Sequence, residues 1–146
     1  MDGEVIAAEF PVRSRVVIAD DDPDIRALIS IAVNRAGLDL VAATEDGYSA
    51  WSAIQEHKPD LAVLDVSMPG MTGLEICARA RADESFADTR IVLLSAGVDE
   101  AARNAGLLAG ANEFIAKPFS PRELGTRLTE LMLAGSRQQT LDNGSA

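Results

Sequence analysis

The stretch Val16-Val17-Ile18-Ala19-Asp20-Asp21-Asp22-Pro23 decides the fold. Its first four residues are apolar and mostly β-branched, with no polar position alternating among them. A strand buried on both faces reads this way, and burial on both faces marks a parallel sheet. Asp22 then offers a helix N-cap, and Pro23 supplies the fixed φ that suits a first helical position. Ile25, Leu28, Ile29, Ala32 and Val33 follow at helical spacing as one apolar stripe, and Gly37 ends the helix. A strand thus feeds straight into an amphipathic helix.

The same unit recurs along the chain. Leu38 to Ala43 reads as a second strand, and Asp46-Gly47 opens a helix to about His57. Leu61 to Asp65 is a third apolar strand; a loop with Pro69 and Gly70 leads to a helix from about Gly73 to Ala82. Ile91 to Ser95 is a fourth strand, with a helix from about Asp99 to Leu108, and Asn112 to Ala116 is a short fifth strand. Ser120-Pro121-Arg122-Glu123 places Ser at an N-cap, Pro at N1 and Glu at N3, a capping box. Leu124, Leu128, Leu131 and Met132 face inward from that last helix, and Gly135 is its expected stop. Five β-then-α units predict an α/β fold, a five-stranded parallel sheet with five helices shared between its two faces. One domain over 14–134 is expected, with tails at 1–13 and 135–146.

Composition bounds the function. The 146 residues are 47% hydrophobic but only 4% aromatic, so the core rests on Val, Ile, Leu and Ala. Acidic residues number 23 against 13 basic, a net charge of −10. Such a surface repels nucleic acid and anionic membrane, and favours basic partners and divalent cations. The single cysteine, Cys77, allows no intrachain disulfide and suits a reducing compartment. The first ten residues lack the features of a signal peptide, and no apolar run approaches the ~18 residues of a membrane span. The expected location is cytoplasmic.

In an open parallel sheet, ligands bind beyond the carboxyl ends of the strands. The first strand ends in Asp20-Asp21-Asp22, the third in Asp65 and the fourth in Ser95; the fifth runs into Lys117-Pro118. Clustered carboxylates repel, so they hold protons or bind a cation. Hard oxygen ligands with room for water and phosphate suit Mg²⁺, and Asp20, Asp21 and Asp65 form the candidate site. Lys117 adds a compact positive charge and Ser95 a hydroxyl donor. A carboxylate, a metal, an ammonium and a hydroxyl are the parts needed for phosphoryl transfer to a carboxylate. Asp22 reads as a cap rather than a ligand, and His57 as solvent-exposed with no ligand or phosphodonor role. Cys77 and Trp51 are expected to pack.

Four segments carry a family resemblance: Val17-Ile18-Ala19-Asp20-Asp21-Asp22-Pro23, Leu64 to Gly73, Leu94-Ser95-Ala96 and Lys117-Pro118-Phe119. Each is weak alone; in this order and at strand ends they resemble the receiver domain of two-component response regulators, over about residues 14–134. The resemblance implies a flavodoxin-like, doubly wound sheet of order 2-1-3-4-5. It implies that Asp65 accepts a phosphoryl group from a histidine kinase or histidine phosphotransfer protein. Asp20, Asp21, Asp65 and the backbone carbonyl of Ser67 would hold Mg²⁺. Lys117 would bind the phosphoryl group, Ser95 would hydrogen-bond it after transfer, and Lys117-Pro118 would be a cis peptide. Phe114 falls where the family keeps an aromatic that swings inward, though plain core packing fits it as well. The partner face would be the fourth helix, fifth strand and fifth helix, and the resemblance also allows homodimerisation on phosphorylation.

Ser67 and Gly97 depart from the family's commoner residues, and no phosphoryl lifetime is read from them. The implied activity is a switch that catalyses only its own phosphorylation and dephosphorylation, not an enzyme on a diffusible substrate. Two other classes remain: a small Mg²⁺-dependent phosphohydrolase using Asp65, and a pseudo-receiver acting by protein binding alone. As a complete chain it would act by contact with a partner; as a fragment it would precede an output domain after Gly135.

Overall fold

A computed structural model describes residues 13–96 and 100–145, with side chains described as far as residue 134. Its strands are β1 (Arg15–Ala19), β2 (Asp39–Thr44), β3 (Leu61–Asp65), β4 (Arg90–Ala96) and β5 (Glu113–Lys117). They form one sheet in the order β2-β1-β3-β4-β5, and every adjacent pair is parallel. The helices are α1 (Pro23–Arg35), α2 (Gly47–His57), α3 (Gly73–Arg81), α4 (Glu100–Leu108) and α5 (Pro121–Ser145). The predicted fold class and strand order both hold.

Alternation along the strands sends successive side chains to opposite faces, which splits the core in two. Val16, Ile18, Leu61, Val63, Val92 and Leu94 pack with Ile29 and Val33 of α1 and Leu124 and Leu128 of α5. Val17, Ala19, Ala62, Leu64 and Leu93 pack on the other face with Ile54 of α2, Ile76 and Cys77 of α3, and Phe114. All five residues of β3 are buried, as its unbroken apolar run requires. Trp51 and Cys77 pack as expected: the Trp51 ring meets Phe86 at 5.5 Å between centroids, and Cys77 is fully buried.

The helices begin at the carboxyl edge, and their predicted caps are formed. Asp22 accepts from the Asp24 and Ile25 N–H groups, and Asp46 from the Ser49 N–H. The Ser120–Glu123 box closes in both directions, at 3.0 and 3.2 Å. Asp46-Gly47 has a second purpose that helix-start chemistry does not announce. The Gly47 N–H donates to the Pro69 carbonyl at 3.0 Å. A Cβ at residue 47 would lie 1.7 Å from the Met71 carbonyl oxygen, so only glycine lets α2 dock on the loop after β3.

Two expectations need correction, and one connection adds an element. The backbone stays helical through Gly135 to Ser145, where an irregular tail was the expectation. A glycine costs a helix interior about 1 kcal/mol, and good helix formers on both sides (Leu131 to Ala134, then Arg137 to Gln139) offset it. His57 is half-buried rather than exposed: its carbonyl accepts from Arg15 Nη1 at 2.5 Å, and its Nδ1 lies 3.4 Å from Arg15 Nη2. The connection from α3 to β4 also holds a 3₁₀ turn, Glu84–Phe86, which buries Phe86. The N-terminal residues 1–12, Gly97 and the predicted helix start at Asp99 lie outside the described residues.

Candidate functional site

Asp20 is the first residue past β1 and is fully buried. Its N–H donates to the Thr44 carbonyl of β2 at 3.1 Å, and its carbonyl accepts from Arg26 Nη1 at 2.8 Å. Its Oδ1 accepts from the Asp22 N–H at 2.9 Å. The other oxygen, Oδ2, receives no well-aligned hydrogen bond and faces the Lys117 ammonium at 2.9 Å. Backbone and side chain are therefore both pinned, with one buried oxygen left aimed into the site.

Asp65 closes β3 and is 4% exposed. Strand register sets it opposite Leu94, one residue before Ser95. Its Oδ1 accepts from the Ser67 N–H at 3.3 Å and lies 3.4 Å from Lys117 Nζ. Lys117, at the end of β5, thus spans both buried carboxylates, and its bond to Pro118 is cis as the resemblance implied. Asp21 is exposed, yet one oxygen from each of Asp20, Asp21 and Asp65 falls within 4.8 Å of the others.

Burial raises the Asp65 carboxyl above the ordinary carboxylate range, and the charge of Asp20 raises it further; Lys117 and the Ser67 N–H only partly oppose this. Burial alone would lower Lys117, but its close charge contacts with Asp20 and Asp65 leave it raised, and so firmly cationic. One ammonium among three carboxylates leaves a surplus of negative charge. The buried Asp20 Oδ2 without an aligned donor, and the all-oxygen donor set, fit a small hard cation such as Mg²⁺.

Ser95 sits half-buried near the end of β4, paired with Ala116, while Lys117 pairs with Ala96. Phe114 is buried beside Leu93. A Cβ on residue 106 would come within 2.9 Å of the Phe114 ring, so Gly106 of α4 leaves the space the ring occupies. Asp22 acts as a cap. Sequence reasoning missed Arg26: the carboxylate at helical spacing from it, Asp22, serves as the helix cap, and the target of Arg26 is a backbone carbonyl that no side-chain pattern reveals.

A doubly wound parallel sheet carrying this acidic triad and lysine at its carboxyl edge defines a class of signalling receivers. The family model for the response regulator receiver domain matches residues 16–129, and the chain belongs to that family, which serves two-component signalling. It is 39% identical over 121 residues to the phosphate regulon transcriptional regulatory protein PhoB of Pseudomonas aeruginosa, covering 83% of this chain and 52% of the relative. It is 38% identical over 117 residues to the DNA-binding response regulator MtrA of Mycolicibacterium smegmatis, covering 80% and 50%. The chain spans about half the length of these curated relatives.

Among solved structures, the chemotaxis response regulator CheY4 of Vibrio cholerae superposes with a TM-score of 0.74 at 29% identity, covering 82% of this chain and 98% of that one. The receiver domain of AraT, a response regulator from Geobacillus stearothermophilus, gives 0.76 at 25% identity, covering 86% and 98%. The expectation that nucleic acid is no direct partner finds no support here, since relatives carry DNA-binding names. No helix among the described residues is long and apolar enough to cross a membrane.

Proposed function

We propose that Asp65 is the phosphoacceptor of a Mg²⁺-dependent switch, fed by a sensor histidine kinase or a histidine phosphotransfer protein. The observation that carries this reading is the Lys117 ammonium held 2.9 Å from Asp20 and 3.4 Å from Asp65, beside the three-carboxylate cluster. An Asp65 oxygen attacks the phosphorus of a donor phosphohistidine; the P–N bond breaks and the imidazole leaves with its electron pair. Lys117 holds a phosphoryl oxygen as charge develops on it. The Ser95 hydroxyl donates to the new group. Asp20, Asp21, Asp65 and the Ser67 carbonyl would hold the Mg²⁺, which supplies neutralising charge for the incoming phosphoryl group.

Phosphorylation adds negative charge and acceptor oxygens at the strand ends. Drawing Ser95 and Lys117 toward it shifts the ends of β4 and β5, and Phe114 is the aromatic positioned to follow. The surface read by a partner is the α4–β5–α5 face, where a groove is lined by Arg103, Phe114, Phe119, Arg122, Arg127 and Glu130. Homodimerisation on phosphorylation belongs to the same reading, as does a cytoplasmic setting. The likeness to PhoB, named a transcriptional regulator, and to MtrA, named DNA-binding, supports a role in controlling transcription.

Incubation with Mg²⁺ and acetyl phosphate, followed by intact mass, tests the proposal. Wild type is expected to gain one phosphoryl group and Asp65→Ala none; Asp21→Ala and Lys117→Ala should fold but lose the response. Normal uptake in Asp21→Ala and Lys117→Ala would remove their roles. Steady turnover of a small phosphate ester would favour a phosphohydrolase instead.

A further inference from the structure

β1 ends at Ala19, and the chain turns at Asp20, so the Asp20 carbonyl leaves the sheet ladder. Arg26, half-buried on α1 six residues later, fills that acceptor through Nη1 at 2.8 Å. The opposite side of Asp20 is tied to β2 by its N–H bond to Thr44, at 3.1 Å. Arg26 also lines a small cleft with Thr44, Glu45 and Ser49, so the guanidinium sits beside the end of β2 as well as the turn.

The Asp20 carbonyl and the Asp21 N–H belong to one planar peptide. Holding that oxygen fixes the plane, and with it the direction in which the Asp21 Cα leaves the turn. Asp20 and Asp65 are immobilised by burial; Asp21 is exposed and has no such restraint. A guanidinium is charged at every working pH and donates from a rigid plane, which suits it to this task.

We propose that Arg26 is a positioning residue for metal binding: by clamping the Asp20 carbonyl it presets Asp21 as the third carboxylate of the cluster. The inference rests on the Mg²⁺ reading of that cluster. Partners standing one bond behind a metal ligand typically change affinity by about 10–100-fold when lost.

The test is calorimetric titration of the full chain with Mg²⁺ alone, together with thermal unfolding in EDTA, for wild type, Asp21→Ala, Arg26→Gln and Arg26→Lys. Arg26→Gln is expected to bind Mg²⁺ about 10-fold more weakly. Arg26→Lys, which still carries a donor and a charge, should fall between Arg26→Gln and wild type. Backbone ¹⁵N relaxation should show Asp21 more mobile in Arg26→Gln without metal. A lowered melting temperature with wild-type Mg²⁺ affinity would make Arg26 a plain structural tie and overturn the inference alone. Tighter binding in Arg26→Gln would also overturn it, because the guanidinium would then act as a charge opposing the cation. If wild type and Asp21→Ala both fail to bind, the cluster reading falls and takes the inference with it. If Arg26→Gln does not fold, Arg26→Lys with undiminished affinity overturns the proposal.

Discussion

At the amino edge of the sheet, Arg81 donates to the carbonyls of Gly110, Phe86 and Thr89 and to the Asn112 side chain, at 2.8–3.0 Å. Asn112 passes the tie on by accepting from the Ile91 N–H at 2.8 Å, and Asp60 accepts from the Arg15 N–H at 2.8 Å. Charges there meet loose backbone groups, one complementing another. At the carboxyl edge, three carboxylates face each other around one ammonium, and a buried oxygen lacks an aligned donor. The difference teaches where the fold keeps its stability and where it gives some up: one edge is tuned for satisfaction, the other holds unresolved charge.

The sharpest way to break this comparison is at Arg81. Arg81→Ala removes four hydrogen bonds at once, those to the Gly110, Phe86 and Thr89 carbonyls and to Asn112, and should cost about 3 kcal/mol, or roughly 10 °C in melting temperature. A loss near zero, measured by calorimetry, would mean the amino edge is not the brace described.

The carboxyl edge should respond with the opposite sign. Asp65 holds its proton to higher pH in the folded chain than in the unfolded one, so the native state loses relative stability as pH rises through that window above the usual carboxylate range. Asp65→Asn removes the repulsion and should stabilise the metal-free protein at pH 7 by about 1–2 kcal/mol. The gain should shrink toward zero at acid pH, where Asp65 is protonated anyway, and shrink again when Mg²⁺ is added. Denaturant melts in EDTA at pH 4 and pH 7 would expose a flat or reversed difference.

The smallest effect belongs to the satisfied part of the same edge. Ser120→Ala opens the capping box of α5 and should cost about 1 kcal/mol, independent of Mg²⁺. A metal-dependent cost would show that capping and the acidic cluster are not separable.

The carboxyl edge was far more legible in the sequence than the amino edge. Asp20, Asp65 and Lys117 each end an unbroken apolar run, so strand pattern places them at one sheet edge, the strand order implied by resemblance brings them together, and side-chain chemistry then suggests a cation. Ser95 read as a hydroxyl donor from its strand end, but its bond to a transferred group, and the whole role of Phe114, came only from resemblance. Arg81, Arg26 and Arg15 act on backbone carbonyls, some near and some far along the chain; nothing in residue type or spacing marks such a target. His57 was misjudged for the same reason, since Arg15 covers it from a strand 42 residues away. Gly135 misled because a single glycine weakens a helix without stopping it when good formers flank it.

The contact between Gly47 and Met71 has a mechanical consequence. On the α2 side the segment following Asp65 is riveted: a backbone hydrogen bond and a gap too narrow for a methyl group leave it no slack. On the far side, toward β4 and β5, the neighbours are a hydroxyl, an ammonium and an aromatic ring, all of which swivel about single bonds. A displacement at Asp65 would therefore meet more resistance toward α2 than toward β4 and β5.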